Sequence, residues 1–402
     1  MPPLSPLTPL APQSHDMSQR DVVIVGGGPA GLYTGWQLAR AGHDVILCEE
    51  HATIGDPVHC TGVLAREAFE EFGVNTGAIL NELKTVRFLA PSGDTVEYST
   101  QTVEAVVIDR LVFDGALATQ AARAGVEVVH ARVTSVGVDR DGVTVRAGAA
   151  TIRARVCVLA CGASYSIQRK LGLGMPKQMM RTAQVEIPAQ RVGDVEVMFG
   201  RRLAPGGFAW AVPVTRGDRA SVRIGVMCNA DASRHFASVF DRVAPRWGVS
   251  QAVRPQPRQK VLPLEPLSRT VSDRVLTVGD AAGIVKPTTG GGIYYSLLSA
   301  QLAAETLTNA LERDDLSSEG LAPYEAAWRH RLASELRSQL MLRRIAHRLT
   351  DEDIDGLFEL ARTDGIMPLI RRTAAFNHHR EFIVALLRHP SARRLLVKAA
   401  LT

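Results

Sequence analysis

The sequence predicts an α/β fold with a Rossmann-like unit near the N-terminus and a helical C-terminal region. Three observations support this prediction. A β-branched run at 21–25 leads directly into a glycine-rich turn and a helical pattern. A second apolar run at 274–278 also ends in glycine and precedes a long helical pattern. From 326 to 402, Leu and Ile recur at helical spacing and alternate with Arg.

The composition is that of a globular protein. With 402 residues, 46% of them apolar and 22% charged, the chain is long enough for a large core or two linked cores. No run approaches the ~18 apolar residues of a membrane span, so we expect no transmembrane helix. Residues 1–19 hold five prolines and no Lys or Arg, which favours a disordered tail over a signal peptide, with Met17 as an alternative start.

Cysteine and charge patterns give further expectations. The five cysteines include no C-x-x-C pair, so we expect no metal site and a reducing, cytoplasmic location. The net charge of +5 is concentrated at 326–402, where 14 Lys or Arg stand against 8 Asp or Glu. This segment is either a solvated helical face or a peripheral contact for anionic lipid head groups, and we expect no nucleic-acid partner.

The first glycine turn has the spacing of a dinucleotide-binding site. Gly26 allows the tight turn, Gly28 lets the backbone approach a pyrophosphate, and Gly31 lets the helix pack closely on the strand. The helix N-terminus offers free N–H groups to the phosphates. The next strand ends in Glu49, eighteen residues after Gly31, where a carboxylate binds ribose hydroxyls.

The second glycine turn adds the other half of a candidate binding site. Gly279-Asp280 follows an apolar strand, and the proline, threonines and glycines of 287–292 precede the helix that begins near Ile293. The bare helix start can accept a flat, negatively charged group. FAD has an adenosine end, a pyrophosphate and a ribityl chain leading to a planar ring, so it accounts for both turns, whereas a nicotinamide dinucleotide accounts only for the first.

Several blocks carry a resemblance to a known family. Besides the two turns they are "PVHCTGV" at 57–63, "DRLVFDGALATQAARAG" at 109–125, "VLACGASYSIQRKLG" at 158–172 and "GGFAWAVPV" at 206–214. With these blocks the chain resembles the geranylgeranyl reductase family of FAD-dependent oxidoreductases, in the superfamily that shares the para-hydroxybenzoate hydroxylase fold. The cysteine block and the aromatic strand are the more specific features.

The resemblance implies a Rossmann-like FAD-binding domain with a β-sheet substrate domain inserted into it, followed by a helical C-terminal region. The FAD-binding domain is discontinuous and comprises 20–82, 106–174 and 271–320. The substrate domain comprises 83–105 and 175–270, and a helical region follows at 321–402.

The resemblance also implies an activity and a set of site residues. The activity is the reduction of isolated double bonds in geranylgeranyl chains of lipids, diphosphates or quinones by hydride from reduced flavin. The FAD-contact positions are Ala30, Glu49, Cys60, Thr61, Arg110, Val133, Asp280, Gly292 and Ile293. An isolated alkene needs a proton as the hydride arrives. Cys60 is the first candidate for the proton donor, with His59, Tyr294 and Tyr295 as weaker ones.

The strand "GGFAWAVPV" is the candidate substrate wall. Phe208, Trp210 and Val212 alternate with small residues, so one strand face is bulky and apolar. This face is either plain core or the wall of a long apolar tunnel, and the family pattern favours the tunnel. We expect Phe208, Trp210 and Tyr294 to contact an isoprenoid substrate.

The chain departs from the family pattern at Cys161-Gly162, where Asp-Gly is usual. That aspartate often helps to admit NAD(P)H, so the electron donor is either NAD(P)H or a ferredoxin-like protein. Two other functions remain open. One is a flavin-dependent monooxygenase or halogenase of an aromatic substrate, and the other is a non-enzymatic prenyl-lipid binding protein on the same fold.

Overall fold

The structure is a computed structural model that describes residues 7–8, 19–252, 254–363 and 366–401, with side chains as far as residue 396. Leu7 and Thr8 run beside the first of the two large sheets described below. The Leu7 N–H donates to the Ala52 carbonyl at 2.9 Å, and the His130 N–H donates to the Thr8 carbonyl at 3.0 Å. Most of the expected N-terminal tail, with the alternative start at Met17, lies outside the described residues.

The described strands, numbered in chain order, have the following bounds. They are β1 (Arg20–Val25), β2 (Val45–Glu49), β3 (Val63–Ala65), β4 (Ile79–Leu83), β5 (Thr85–Leu89), β6 (Thr95–Ser99), β7 (Ala105–Ile108), β8 (Glu127–His130), β9 (Val133–Val138), β10 (Val143–Ala147), β11 (Ala150–Leu159), β12 (Met179–Pro188), β13 (Val195–Met198), β14 (Phe208–Arg216), β15 (Arg219–Cys228), β16 (Arg258–Pro263), β17 (Val271–Ser272) and β18 (Val275–Thr277).

The α-helices are numbered in the same way. They are α1 (Pro29–Arg40), α2 (Ala68–Glu71), α3 (Arg110–Arg123), α4 (Ser166–Lys170), α5 (Ala232–Trp247), α6 (Ile293–Glu312), α7 (Ser318–Ala346), α8 (Asp351–Thr363), α9 (Ile366–Thr373), α10 (Arg380–Arg388) and α11 (Pro390–Leu401).

The nucleotide-binding layer is a sheet with the order β17-β18-β11-β1-β2-β8, extended at β11 by the antiparallel strands β10 and β9. Strands β18, β11, β1, β2 and β8 are parallel to one another. Their carboxyl ends therefore share one edge, where ligands of open α/β sheets bind. Because β1 is buried on both faces, its sequence is a continuous run of Val and Ile rather than an alternating one.

The second layer is a sheet with the order β16-β12-β15-β14-β13-β5-β6, and a small sheet β3-β7-β4 joins it to the first layer. One face of the second sheet packs on α5 through β15 and β12, and Phe236 and Phe240 of α5 share an apolar cluster with Ala209 and Ala211 of β14. The described strands of this sheet fall within 83–105 and 175–270, and those of the first sheet fall outside these ranges.

The helices complete the frame around the site. Helix α6 packs on α1 and on α7, and it buries one long side of mostly Ala and Leu. Helices α8 to α11 share an apolar cluster that includes Leu349, Ile366, Leu386 and Leu396. Among the described residues, no helix is long and apolar enough to cross a membrane.

Candidate active site

The first glycine turn is built for close approach. Gly26 has φ +109°, and a Cβ there would lie 2.5 Å from the Ala160 carbonyl oxygen, so only glycine fits. A Cβ at Gly31 would lie 2.0 Å from the Gly26 carbonyl oxygen, which shows how tightly α1 meets the turn. Around Gly28, by contrast, no atom lies within 4 Å of a Cβ position, which leaves room for a ligand.

Glu49 faces this turn. Its carboxylate accepts from the Gly27 N–H at 2.7 Å and from the His51 N–H at 2.9 Å, and its side chain is 12% exposed. The neighbouring Glu50 side chain is 49% exposed and pairs with Arg132 at 3.4 Å. The structure thus points the side chain of Glu49, the acid chosen from the spacing, toward the glycine turn.

The second glycine turn touches the first. A Cβ at Gly279, which has φ +58°, would lie 3.1 Å from the Ala30 Cβ. The next residue, Asp280, accepts from the Tyr165 hydroxyl through its carbonyl at 2.6 Å, and its carboxylate is 3.5 Å from the Lys260 ammonium. Helices α1 and α6 both begin without a side-chain cap, so their first N–H groups are available to a ligand.

Both turns open into one cavity of about 1030 Å³. Most of the site residues expected from the sequence line it. They are Gly26, Gly28, Ala30, Glu49, Cys60, Thr61, Arg110, Val133, Phe208, Trp210, Asp280, Gly292 and Ile293. Gly31 lies beneath the turn and acts by letting α1 approach β1.

Tyr294 departs from the expectation and does not line the cavity. Its ring packs against Phe72, and its hydroxyl donates to Glu71 at 2.6 Å. Successive helical residues point about 100° apart, so Ile293 faces the cavity while Tyr294 faces away from it. The Tyr295 hydroxyl likewise donates to the Asn377 carbonyl at 3.1 Å, within the core. Neither tyrosine has the position expected for a substrate contact or a proton donor.

Cys60 lies on the wall between the two layers. Its Sγ accepts from the Gly62 N–H at 3.3 Å. Arg110, the first residue of α3, donates two hydrogen bonds to Asp114 at 3.0 and 2.7 Å. Burial disfavours the Arg110 cation, but Asp114 and the Cys60 sulfur favour it and together raise the pKa of Arg110. The sulfur of Cys60 is therefore surrounded by hydrogen-bond donors and positive charge.

His59, the other expected proton source, also lines the cavity. Burial, followed by the charges of Lys260 and Arg258, lowers the pKa of His59, so the ring is neutral near pH 7. Its Nδ1 is buried and has no partner among the described residues.

Arg223 holds the Cys60 loop, and our sequence analysis did not identify it. Its side chain accounts for three contacts, since it donates to the Thr61 carbonyl at 2.5 Å, to the Ile108 carbonyl at 3.0 Å and to Glu186 at 2.9 Å. The Thr61 hydroxyl also donates to Gln184 of β12 at 2.9 Å. The signal that marks Arg223 is a single charge inside the apolar run of β15.

An apolar wall extends the cavity away from the glycine turns. Phe208, Trp210 and Val212 of β14 line it, while the alternating Ala209 and Ala211 pack on the other face of the sheet. Further aromatic rings continue this wall at centroid distances of 5.7 to 6.4 Å, and their order is Trp210, Phe208, Phe199 and then both Phe88 and Phe358.

The C-terminal helical region closes the cavity from the other side. Residues of α9 and α10 and of the segment between them line it. They are Ile366, Ile370, Phe376, Phe382, Ile383 and Leu386. At least part of the C-terminal helical region therefore packs against the cavity.

The five cysteines are present as free thiols. The described residues contain no cluster of His, Cys, Asp or Glu that could hold a metal ion. Cys161 lines the cavity beside Gly26 and accepts from Gln168 at 3.4 Å. Burial raises the pKa of its thiol, so Cys161 does not replace the charge of the aspartate usual at this position.

The described residues fit FAD, as the sequence predicts. The two open helix starts suit a pyrophosphate and an electron-rich ring, and Glu49 and Asp280 suit hydroxyl groups of the sugar portions. The two-layer fold and this site define an FAD-dependent oxidoreductase with the para-hydroxybenzoate hydroxylase-like architecture.

Sequence comparisons narrow the class. The family model described as lycopene cyclase protein matches residues 21–363. Digeranylgeranylglycerophospholipid reductase of Methanocaldococcus jannaschii is 31% identical over 360 residues, covering 84% of this chain and 90% of the relative. Digeranylgeranylglycerophospholipid reductase 1 of Methanopyrus kandleri is 33% identical over 376 residues, covering 86% and 98%. The chain belongs to the geranylgeranyl reductase family of FAD-dependent enzymes, in the wider group that the lycopene cyclase model matches.

Structural comparisons agree on the fold. A geranylgeranyl bacteriochlorophyll reductase-like protein from Thermoplasma acidophilum superposes with a TM-score of 0.83 at 22% identity, covering 96% of this chain and all of the other. A flavin-dependent brominase superposes with a TM-score of 0.69 at 16% identity, covering 95% and 98%. At these identities the similarity establishes the architecture alone.

Proposed function

We propose that the protein is an FAD-dependent reductase that saturates isolated double bonds in the geranylgeranyl or other isoprenoid chain of a lipid, a diphosphate or a quinone. One observation carries the proposal: the cavity that begins at the two glycine turns continues into an aromatic and aliphatic wall, and Cys60 lies between the two parts. The relatives named digeranylgeranylglycerophospholipid reductase support it.

The chain's own residues hold the cofactor in this proposal. The turn at 26–31 binds the pyrophosphate through backbone N–H groups, Glu49 binds the adenosine ribose, and Asp280 binds the ribityl chain. The flat ring lies against the turn at 287–292. FAD, when bound and reduced, supplies the hydride.

Cys60 supplies the proton. The alkene has no polar group to activate, so a proton must reach one carbon as the hydride reaches the other. As the thiol gives up its proton, negative charge develops on Sγ, where the Gly62 N–H and the Arg110 guanidinium can stabilise it. His59, which is neutral and lies next in sequence, can relay a proton from solvent to the sulfur after turnover, taking up a proton on one ring nitrogen as it gives one from the other.

The aromatic wall positions the chain and keeps water out. Rings from Trp210 to Phe358 give a long apolar surface that suits a flexible polyisoprenoid.

Two partners complete the proposal. A ferredoxin-like protein or NAD(P)H reduces the flavin, with the protein donor favoured because Cys161 lacks the charge of an aspartate. The basic helices α9 to α11 make a peripheral contact with anionic lipid, from which the substrate enters.

The test is a single-turnover reaction. The purified flavoprotein is reduced anaerobically and mixed with geranylgeranyl lipid, geranylgeranyl diphosphate or menaquinone, and the product is analysed by mass spectrometry. We expect the flavin to reoxidise without oxygen and the product to gain two hydrogen atoms per event. Reoxidation that requires oxygen, with a product that gains an oxygen atom, would contradict the reductase and indicate a monooxygenase. Lipid bound but unchanged would indicate a carrier.

A further inference from the structure

Lys286 is a buried cation at the edge of the cofactor turn. It lines the cavity, yet the residue is only 3% exposed. Its Cδ and Cε lie 3.6 and 3.9 Å from the Cβ position of Gly291. The side chain therefore runs along the underside of the glycine turn that precedes α6.

The Lys286 ammonium has partners that do not neutralise it. Its Nζ donates to the Phe376 carbonyl at 2.8 Å and lies 4.3 Å from the centroid of the Phe376 ring and 5.9 Å from that of Tyr295. No carboxylate among the described residues forms a salt bridge with it. A buried charge without a counter-ion is costly, so these surroundings disfavour the protonated form of Lys286.

The nearby carboxylates are committed elsewhere. Glu335 accepts from the His379 and Arg380 N–H groups at 2.6 and 3.0 Å, and Glu67 accepts from Asn377 at 2.6 Å. Burial lowers the pKa of Lys286 to about 7, although Glu67 and Glu335 act in the opposite direction. An anion bound in the cavity would favour the charged form.

We propose that Lys286 is the counter-ion for the negative charge that the FAD ring acquires on reduction. The α6 N-terminus and Lys286 flank the same turn, so the helix dipole and the protonated amine favour the same charge there. This inference rests on the proposed cofactor site, but it does not depend on which substrate the enzyme reduces.

The test uses the oxidised holoenzyme and sulfite. Sulfite forms a bond to the flavin ring and leaves a negative charge on it, so its affinity reports the cation beside the ring without any substrate. We expect Lys286→Met to weaken sulfite binding at least about tenfold below neutral pH, and Lys286→Arg to retain it. The two-electron midpoint potential should fall by about 30 mV for each tenfold loss.

Lys170→Met, at an exposed position on α4, is the matched control and should leave both values unchanged. If Lys286 serves only to hold the Phe376 segment, Lys286→Met will lower the midpoint of unfolding without changing sulfite affinity or potential, and the proposal is wrong. If Lys286→Met does not retain FAD, a lower potential in Lys286→Gln decides in favour, and an unchanged one decides against. A wild-type holoenzyme that binds sulfite normally but reduces no isoprenoid would instead count against the proposed substrate.

Discussion

The Arg223 guanidinium donates to the carbonyl of Thr61 at 2.5 Å and so fixes the residue that follows Cys60. The same nitrogen would lie 2.7 Å from a Cβ at Gly62, which has φ +72°. The second sheet thus positions the loop that carries the candidate proton donor, and Arg223 itself is only 2% exposed.

Replacement of Arg223 should therefore disturb the Cys60 loop. We expect Arg223→Met to lose about 2 kcal/mol or more of stability, because a buried charged hydrogen-bond network is broken. It should also raise the rate at which iodoacetamide alkylates Cys60, and Arg223→Lys should restore part of the protection. Arg219→Met, at the exposed start of the same strand, is the control. Unchanged alkylation in Arg223→Met would show that the loop holds its shape without it.

Removal of the Cys60 thiol should slow the chemical step and spare the cofactor. We expect Cys60→Ala to reduce anaerobic flavin reoxidation by isoprenoid substrate about a hundredfold or more, because a general acid is lost. Cys60→Ser should fall between the two, and Cys228→Ala, a buried cysteine packed against α5, should react normally. A Cys60→Ala enzyme with the wild-type rate and FAD content would rule out Cys60 as the donor.

Glu49 should control cofactor affinity. Its carboxylate holds the Gly27 N–H in the apo site, and its bonds to ribose hydroxyls should contribute about 1.5–3 kcal/mol, so Glu49→Ala should weaken FAD binding about tenfold to a hundredfold. Isothermal titration of apoprotein gives the affinity. Glu50→Ala, which removes an exposed ion pair with Arg132, serves for comparison. Equal losses in the two variants would contradict the assignment.

His379 should make the C-terminal region acid-sensitive. Burial, followed by the Lys286 charge, lowers the pKa of His379 to about 4, whereas an unfolded His has a pKa of about 6.5. Between these values the unfolded state binds a proton that the folded state does not, so stability falls as the pH falls from about 6.5 to about 4. Denaturant titrations across this range should show wild type losing more stability than His379→Gln. Parallel losses would mean that His379 does not contribute.

The exposed arginines of α11 should attract anionic membranes. We expect Arg393→Glu with Arg394→Glu to reduce co-sedimentation with phosphatidylglycerol vesicles severalfold, and high salt to do the same to wild type. The paired reversal Arg123→Glu with Arg313→Glu, at exposed ends of α3 and α6, keeps the same net charge change away from this region. Binding that ignores both salt and the α11 reversal would remove the electrostatic contact from the proposal.

Local spacing in the sequence predicted which residues meet at the two glycine turns. Glycines at 26, 28 and 31, with an acid at 49, reflect backbone geometry that few other residues allow, so local spacing predicts their position. The alternation around Phe208 and Trp210 also predicted which side chains share a face, because a strand has a period of two. In each case the sequence signal and the structural cause are local.

The sequence failed to predict side-chain positions that depend on contacts between residues distant in the chain. Tyr294 was expected to contact the substrate, but helical rotation directs it to Glu71, a residue far away in sequence. Lys286 and Arg223 were missed because their roles depend on hydrogen bonds to the Phe376 and Thr61 carbonyls. These carbonyls approach the two side chains only in the folded chain. A charge within an apolar run was the available signal for Arg223, but it could not identify the carbonyls that it binds.

The contact between Ala30 and Gly279 has a consequence for biosynthesis. While the ribosome is still translating the middle of the chain, the first βαβ unit has left the exit tunnel, but α6 and the strand that ends before Gly279 do not yet exist. The nascent chain therefore offers FAD only a fragment of its pocket. We expect flavin loading to wait until α6 has been made, when the ribosome has passed Glu312 and more than three quarters of the 402 residues.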